Sequence, residues 1–399
     1  MSEAKQSSLE PENCAEVRDS FQGALDAIET YFERNWTDGL PIVPPVPELI
    51  RRMLNAVDRK PHEVLGAVAP RMGEATVEAV AINAVMAGCK PEYFPVVLAA
   101  VEAVLEPSFN LGGVQATTNP LAPLVIVSDT LGVKLGFNSG YNCFGQGNRA
   151  NATVGRALRL VLSNLGGGHP GTGDKSTMGQ PAKYTFCVAE SPLSPWPPLH
   201  VDQGLPKDSD GVTILACNYY PVEAYNRKGR MGREGQVAGA GLPSPERDDS
   251  DDNSDVEILE SYAEAVIFYP GTQCANFGGQ VGIVINPHLA QILAKQGWQR
   301  RDIQLYLYEN ARIPRGSLPT LTSEAKGLAK KRWPLWFNLA DAHKPIPLVK
   351  KPEDYIILCC GDAYRVFGAV LGPWSSLGGA AHSKVVRRAE DVTRDPQES

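Results

Sequence analysis

The chain has 399 residues, with 38 Lys and Arg against 45 Asp and Glu, for a formal net charge of -7. Its 43% hydrophobic and 21% charged content is that of a globular protein, long enough for one large cored unit or two smaller ones. No basic surface of the kind that phosphate backbones require is legible, so nucleic acid is excluded as an expected partner.

Residues 1–13 are polar and read as a flexible N-terminus. The opening MSEAKQSSLEPENCAE has no apolar stretch of the secretory kind. Val17, Phe21, Leu25, Ile28 and Phe32 recur at helical spacing, which predicts an amphipathic helix over 15–35. The proline-rich TDGLPIVPPVP that follows is expected to lie extended over the core. A helix over 48–57 and a strand over 64–70 come next, then two Ala- and Val-rich buried helices over 74–87 and 92–105. The apolar run at 94–105 is broken by Glu102 and is too short to cross a bilayer, so no membrane association is expected.

The continuous run APLVIVSD (122–129) predicts an interior strand, followed by a short helix at 131–135, a Gly- and Asn-rich loop and a helix over 152–165. In the second half, strands are expected at 184–189, 212–217, 281–285 and 355–360, with helices at 287–297 and 301–311. The acidic stretch 239–257 has little to bury and reads as a disordered insert; the chain beyond about Lys384 reads the same way. PLVIVSDTLGVKLGF and VGIVINPHLAQILAKQGW each join an apolar strand to a helix. The expectation is an α/β fold of mixed sheets flanked by helices, built as two related halves, 14–205 and 206–385, with a flexible tail at 386–399.

Chemistry concentrates in the loop 137–151, FNSGYNCFGQGNRAN. Its helix is expected to start at the far edge, capped by Asn151, with amides suited to an anion. Gly145 lets the backbone approach a ligand, Asn138, Asn142 and Asn148 supply amide donors, and Arg149 supplies charge. Cys143 would gain thiolate character there and is the candidate nucleophile; the alternative is a small buried hydrophobe. Asn119, in the polar loop 110–119, and Lys175, in GGGHPGTGDKST (166–177), are further substrate-binding candidates. The second of these loops fails as a phosphate loop, because Asp174 separates Gly173 from Lys175 and no helix follows; it is read as a flexible cover.

Gly145, Gly147 and Ala150 match a dinucleotide loop in spacing only, with no strand leading in. His200 is the candidate acid or base, and His169 is second to it. Cys359-Cys360, at a strand's carboxyl end, and Gly271–Gly279 are weaker candidates, for which packing is the alternative. No His or Cys spacing supports a metal site, and no motif names a cofactor. Eight cysteines without a C-x-x-C pair read as thiols in a reducing cytoplasm.

TDGLPIVPP, INAVMAGCKPEYFPVVLAAVEA, FNLGGVQATTNPLAPLVIV, GRALRLVLSNLGG, GQPAKYTFCVAE, HLAQILAKQGW and LYENARIPRG stand together between residues 35 and 320. This set resembles a bacterial family whose members are often encoded beside small proteins with a Cys-or-selenocysteine-Gly-Ser-Cys motif. The acidic insert and Cys359-Cys360 depart from the pattern. The resemblance brings no reaction or catalytic residue with it; it implies a catabolic or biosynthetic role with a thiol- or selenol-bearing partner. Two functions are expected as alternatives. One is an enzyme acting on a small anionic or carbonyl-containing metabolite through a thiol-dependent redox or lyase step. The other is a non-catalytic subunit supporting a separate thiol or selenol redox protein. Homo-oligomerisation through the apolar helices at 74–105 is also compatible with the sequence.

Overall fold

The computed structural model describes residues 23, 25–223, 255–270, 278–317, 341–363, 367–374 and 378–389. In chain order the helices are α1 (25–33), α2 (Pro47–Leu54), α3 (Val77–Ala87), α4 (Phe94–Val104), α5 (Leu111–Ala116), α6 (Asp129–Leu135), α7 (Arg149–Asn164), α8 (Leu199–Asp202), α9 (Asp255–Phe268), α10 (Pro287–Lys295) and α11 (Arg300–Asn310). The strands are β1 (Val64–Val68), β2 (Gly73–Thr76), β3 (Ala122–Val127), β4 (Cys187–Ala189), β5 (Gly211–Glu223), β6 (Val281–Ile285), β7 (Arg312–Pro314), β8 (Pro345–Pro347), β9 (Tyr355–Cys359), β10 (Phe367–Gly372) and β11 (His382–Val385).

A mixed seven-stranded sheet runs β4-β3-β5-β10-β6-β9, with β11 also pairing β5, and helices flank it: an α/β fold. Its topology repeats. β3 leads through α6 and α7 to a parallel neighbour, β4, and then to an antiparallel one, β5. β6 leads through α10 and α11 to parallel β9 and then antiparallel β10. The repeated units are thus 122–223 and 281–372, joined where β5 and β10 pair antiparallel from Asn218↔Gly372 to Glu223↔Phe367.

Three apolar clusters divide the interior. One lies under α3, α4 and α7 against Val125 and Val127; a second lies under α9, α10 and α11 against Ile283 and Ile357. The third is enclosed by the sheet itself, with Leu124 and Ile126 of β3, Val188 of β4, Leu215 of β5, Val284 of β6, Leu358 of β9 and Leu371 of β10. Strands buried on both faces need continuous apolar runs, which is why β3, β6 and β9 read so plainly in the sequence. The sheet curls, and just beyond its two edge strands the Ser191 N–H donates to the Cys359 carbonyl (2.8 Å).

Several expectations need correcting. Residues 73–76 are strand β2, paired antiparallel with β1, and α3 starts only after Thr76, whose hydroxyl accepts the Ala79 N–H (3.1 Å). α7 starts at Arg149 and is capped by Asn148, whose side chain accepts the Asn151 N–H, so Asn151 lies inside the helix. Residues 255–257 open α9, where Asp255 and Glu257 complement the helix's positive end; 239–254 lie outside the described residues, as do 1–13 and 390–399. Chain past Lys384 is packed as far as residue 388. Val386 is buried, and Arg388 pairs with Asp210 (2.9 Å).

The proline-rich segment is pinned as an outer strap. Arg156 of α7 forks onto the Asp38 carboxylate (2.8 Å to each oxygen) and donates to the Leu40 and Pro41 carbonyls. Replacing Arg156 with Met should leave the Asp38 carboxylate buried without its cation and lower the unfolding free energy by about 3 kcal/mol. Urea melts would measure this, and an unchanged midpoint would show that the strap is held by other contacts.

Candidate functional site

The loop between α6 and α7 is built by its own asparagines. The Asn138 side chain accepts the Gly140 N–H (2.9 Å) and donates to the Tyr141 carbonyl (2.8 Å). Asn142, in the left-handed region at φ 55, donates to the Gln146 carbonyl (2.9 Å), and Gly145 packs so closely on it that a Cβ there would lie 2.1 Å from Asn142 Oδ1. Asn148 also donates to the Gly136 carbonyl (2.9 Å). Buried Asn151 accepts the Asn138 N–H (2.8 Å) and donates to the Asn138 (2.9 Å) and Cys143 (3.1 Å) carbonyls. These amides, read from the sequence as ligand donors, hold the turn that presents Cys143.

Cys143 is turned into the sheet-enclosed cluster, where its thiol meets that of Cys360. The Cys360 S–H and the backbone N–H groups of Cys143 and Phe144 favour the Cys143 thiolate and outweigh burial, which opposes it; its pKa is lowered. Burial pushes Cys360 well up, so Cys360 keeps the proton. Two backbone bonds create the meeting. Gly361 donates to the Ser139 carbonyl (2.8 Å), at a φ of 113 that only glycine takes without strain, and Cys360 N–H donates to Ile285 (3.3 Å). Next to Cys143 in sequence, Phe144 packs its ring between Phe186 (5.8 Å) and Tyr219 (5.3 Å). Burial raises the Tyr219 phenol, with Cys143 and Cys360 adding to the shift, which places that hydroxyl in the field of both sulfurs.

Beside this pair lies Glu190, the residue after β4. It is buried, and burial pushes its pKa up to about 8 despite the Arg300 charge and the Leu199 N–H, which lies 3.0 Å from both carboxylate oxygens. Its field reaches Cys359 and Cys360. Cys89, Cys187, Cys217 and Cys359 are also buried, and burial raises all four thiols, Cys89 and Cys359 to about 12. They are inert as nucleophiles at neutral pH.

Other predicted residues sit elsewhere. Arg149 lies on the outer side of α7, donates twice to the Gly88 carbonyl (3.1 and 2.9 Å), and lines a cleft whose one cysteine is Cys89, not Cys143. Asn119 accepts from Asn218 (2.9 Å) and, through its carbonyl, from Ser176 (3.0 Å). The loop 110–119 contains helix α5, capped by Asn110. Lys175 is exposed and bonds the Gly171 carbonyl, while Asp174 pairs with Lys183 (2.5 Å); this loop is internally laced instead of loose. His200 is buried against Gly211, where a Cβ would lie 2.5 Å from its Cγ, and its ring makes no hydrogen bond of ordinary geometry. Burial holds His200 below the usual imidazole range, although the Pro206 and Ser209 carbonyls and the Asp129 and Asp210 charges oppose that. Burial likewise lowers His169, with Arg71 adding to it. Residues 271–277 of the Gly271–Gly279 candidate lie outside the described residues.

Comparison of the chain with protein families, with curated proteins and with solved structures finds no match in any of the three. The site stands on its own geometry. Among the described residues no group of three or more His, Cys, Asp or Glu is placed to hold a metal ion, and no single helix is long and apolar enough to cross a membrane.

Sequence reasoning missed Glu190 and Tyr219. Glu190 carried one signal, a carboxylate ending the apolar run FCVA; Tyr219 carried none. The raised Glu190 pKa has a consequence for stability. Between about pH 4.5 and 8 the folded chain keeps a proton there that the unfolded chain has released. The contribution is therefore complete at acid pH and is lost as pH rises through that window. Glu190→Gln should flatten the fall in unfolding free energy across it, as measured by denaturant melts at successive pH values; an unaltered slope would contradict the burial argument.

Proposed function

We propose that the protein is a thiol-dependent enzyme that carries out a two-electron redox step on a small anionic or carbonyl-containing metabolite. The observation that carries this reading is the contact between the Cys143 and Cys360 thiols, one of which is favoured as thiolate and the other kept protonated. That asymmetry suits a nucleophile and a resolving thiol. The Cys143 thiolate attacks a sulfur, or a carbon next to a carbonyl, that bears a leaving group; the new bond to Cys143 forms as the bond to that group breaks, and the group departs as an anion. Cys360 then passes its proton to the fragment held on Cys143 and attacks the Cys143 sulfur, so that the fragment is released reduced and one disulfide is left. Two electrons pass from the thiol pair to the substrate. An external dithiol or selenol must return them, which is the task suited to the small thiol- or selenol-bearing partner that the sequence resemblance implies.

Glu190 supports the reading as a protonated carboxyl close enough for its charge state to bear on Cys360. The burial of both sulfurs, Cys143 at 6% and Cys360 at 1% exposure, favours a second reading, a subunit without turnover that supports a separate redox protein.

Treatment of the native chain with oxidised glutathione should link Cys143 to Cys360, as seen by peptide mapping. Cys143→Ser should abolish both this link and the consumption of reductant with a panel of small disulfides and carbonyl compounds, whereas Cys89→Ser and Cys187→Ser should leave both intact. Equal behaviour of the three variants would overturn the proposal. A link that forms without turnover unless a partner is added would select the second reading. The lowered Cys143 pKa adds a further expectation: alkylation by iodoacetamide should persist at Cys143 as pH falls below the ordinary thiol range, with Cys217 and Cys359 unlabelled.

A further inference from the structure

On the outer face of α7, away from the thiol pair, a cleft of ≈ 400 Å³ opens between α2, α7 and the segment joining α3 to α4. Its charge runs against that of the chain. The protein as a whole carries -7, yet the cleft is lined by Arg52, Lys90 and Arg149 against the single carboxylate of Glu92. Arg149 is positioned in advance, because its guanidinium is held on the Gly88 carbonyl by two hydrogen bonds. Arg52 and Lys90 are exposed, and neither has an ion-pair partner among the described residues. Three like charges around one opening repel one another, and the positive end of the 16-residue helix α7 adds to the same potential. An anion seated among them relieves that repulsion.

The rest of the wall is apolar: Val43 from the proline-rich strap, Leu49 and Met53 from α2, and Val85 from α3. A simple inorganic ion would leave this surface wet. A volume of this size, with an apolar wall and a few convergent charges, is that of a metabolite site. We propose that the cleft binds an organic anion, its carboxylate or phosphate head on Arg52, Lys90 and Arg149 and its apolar body against Val43, Leu49 and Met53. The proposal is independent of the thiol chemistry, since Cys143 does not line the cleft and the thiol that does, Cys89, donates to the Thr153 carbonyl (3.3 Å) and is kept neutral by burial.

Isothermal titration of the full chain with acetate, octanoate, phenyl phosphate and inorganic phosphate tests it, the second and third probes separating a carboxylate from a phosphate head. At least one of octanoate and phenyl phosphate should bind at one site per chain. The double variant Arg52→Ala with Lys90→Ala, both at exposed positions, should weaken that binding tenfold or more, and so should a rise in salt concentration. Val43→Asp, also at an exposed position, should weaken the organic probes through the apolar wall. The proposal falls if neither organic probe binds, if the double variant binds as tightly as the parent, or if acetate and inorganic phosphate match the organic probes. Each outcome is read from binding alone, so loss of the Cys143–Cys360 redox reading would leave this one standing.

Discussion

Curling the sheet brings the ends of its two outermost strands, β4 and β9, to one place, and the candidate chemistry depends on that meeting. The Ser191 amide on the Cys359 carbonyl and the Gly361 amide on the Ser139 carbonyl lace three distant stretches of chain together within two residues of Cys360. Each bond satisfies a backbone group that burial would otherwise leave costly. Because the two halves repeat the same strand and helix order, the meeting joins equivalent ends, Glu190 after β4 and Cys360 after β9. A loop inserted between α6 and α7 then supplies Cys143 from the side.

The electrostatics follow from this geometry. Ionisable groups at the meeting point are removed from water, and burial shifts each towards its neutral form: Glu190 up, Cys359 and Cys360 up. Cys143 departs from the trend because it has donors, namely the Cys360 thiol and two backbone amides of a turn whose shape the surrounding asparagines maintain. The same side chains that make the loop polar in sequence are consumed in making it rigid. Supporting side chains that are engaged in this way fix the position of the Cys143 sulfur in advance.

α7 presents two different faces to chemistry. Inward, Asn151 holds the loop that carries Cys143; outward, Arg149 joins Arg52 and Lys90 around the cleft. The proline-rich strap connects these levels, since Asp38 locks it to Arg156 of the same helix while Val43 forms part of the cleft wall. Rigidity of α7 is therefore shared by both sites, although no residue belongs to both.

Much of the fold was legible from residue order alone. Apolar runs such as APLVIV and VGIVI marked the interior strands, and helical spacing marked the helices after them, because those patterns follow from which faces must be buried. The likeness between the two strand–helix units also showed, and the loop at 137–151 stood out by its glycines and asparagines. Which partner each side chain would find was not visible. Asn119, Asn138, Asn142 and Asn148 bond within and between loops because turns at those positions close on them, and Arg149 points away from Cys143 because a helix places neighbouring residues on different faces. The approach of Cys143 to Cys360, separated by more than half the chain, was decided by the curl of the sheet, a long-range consequence of packing that no local pattern encodes.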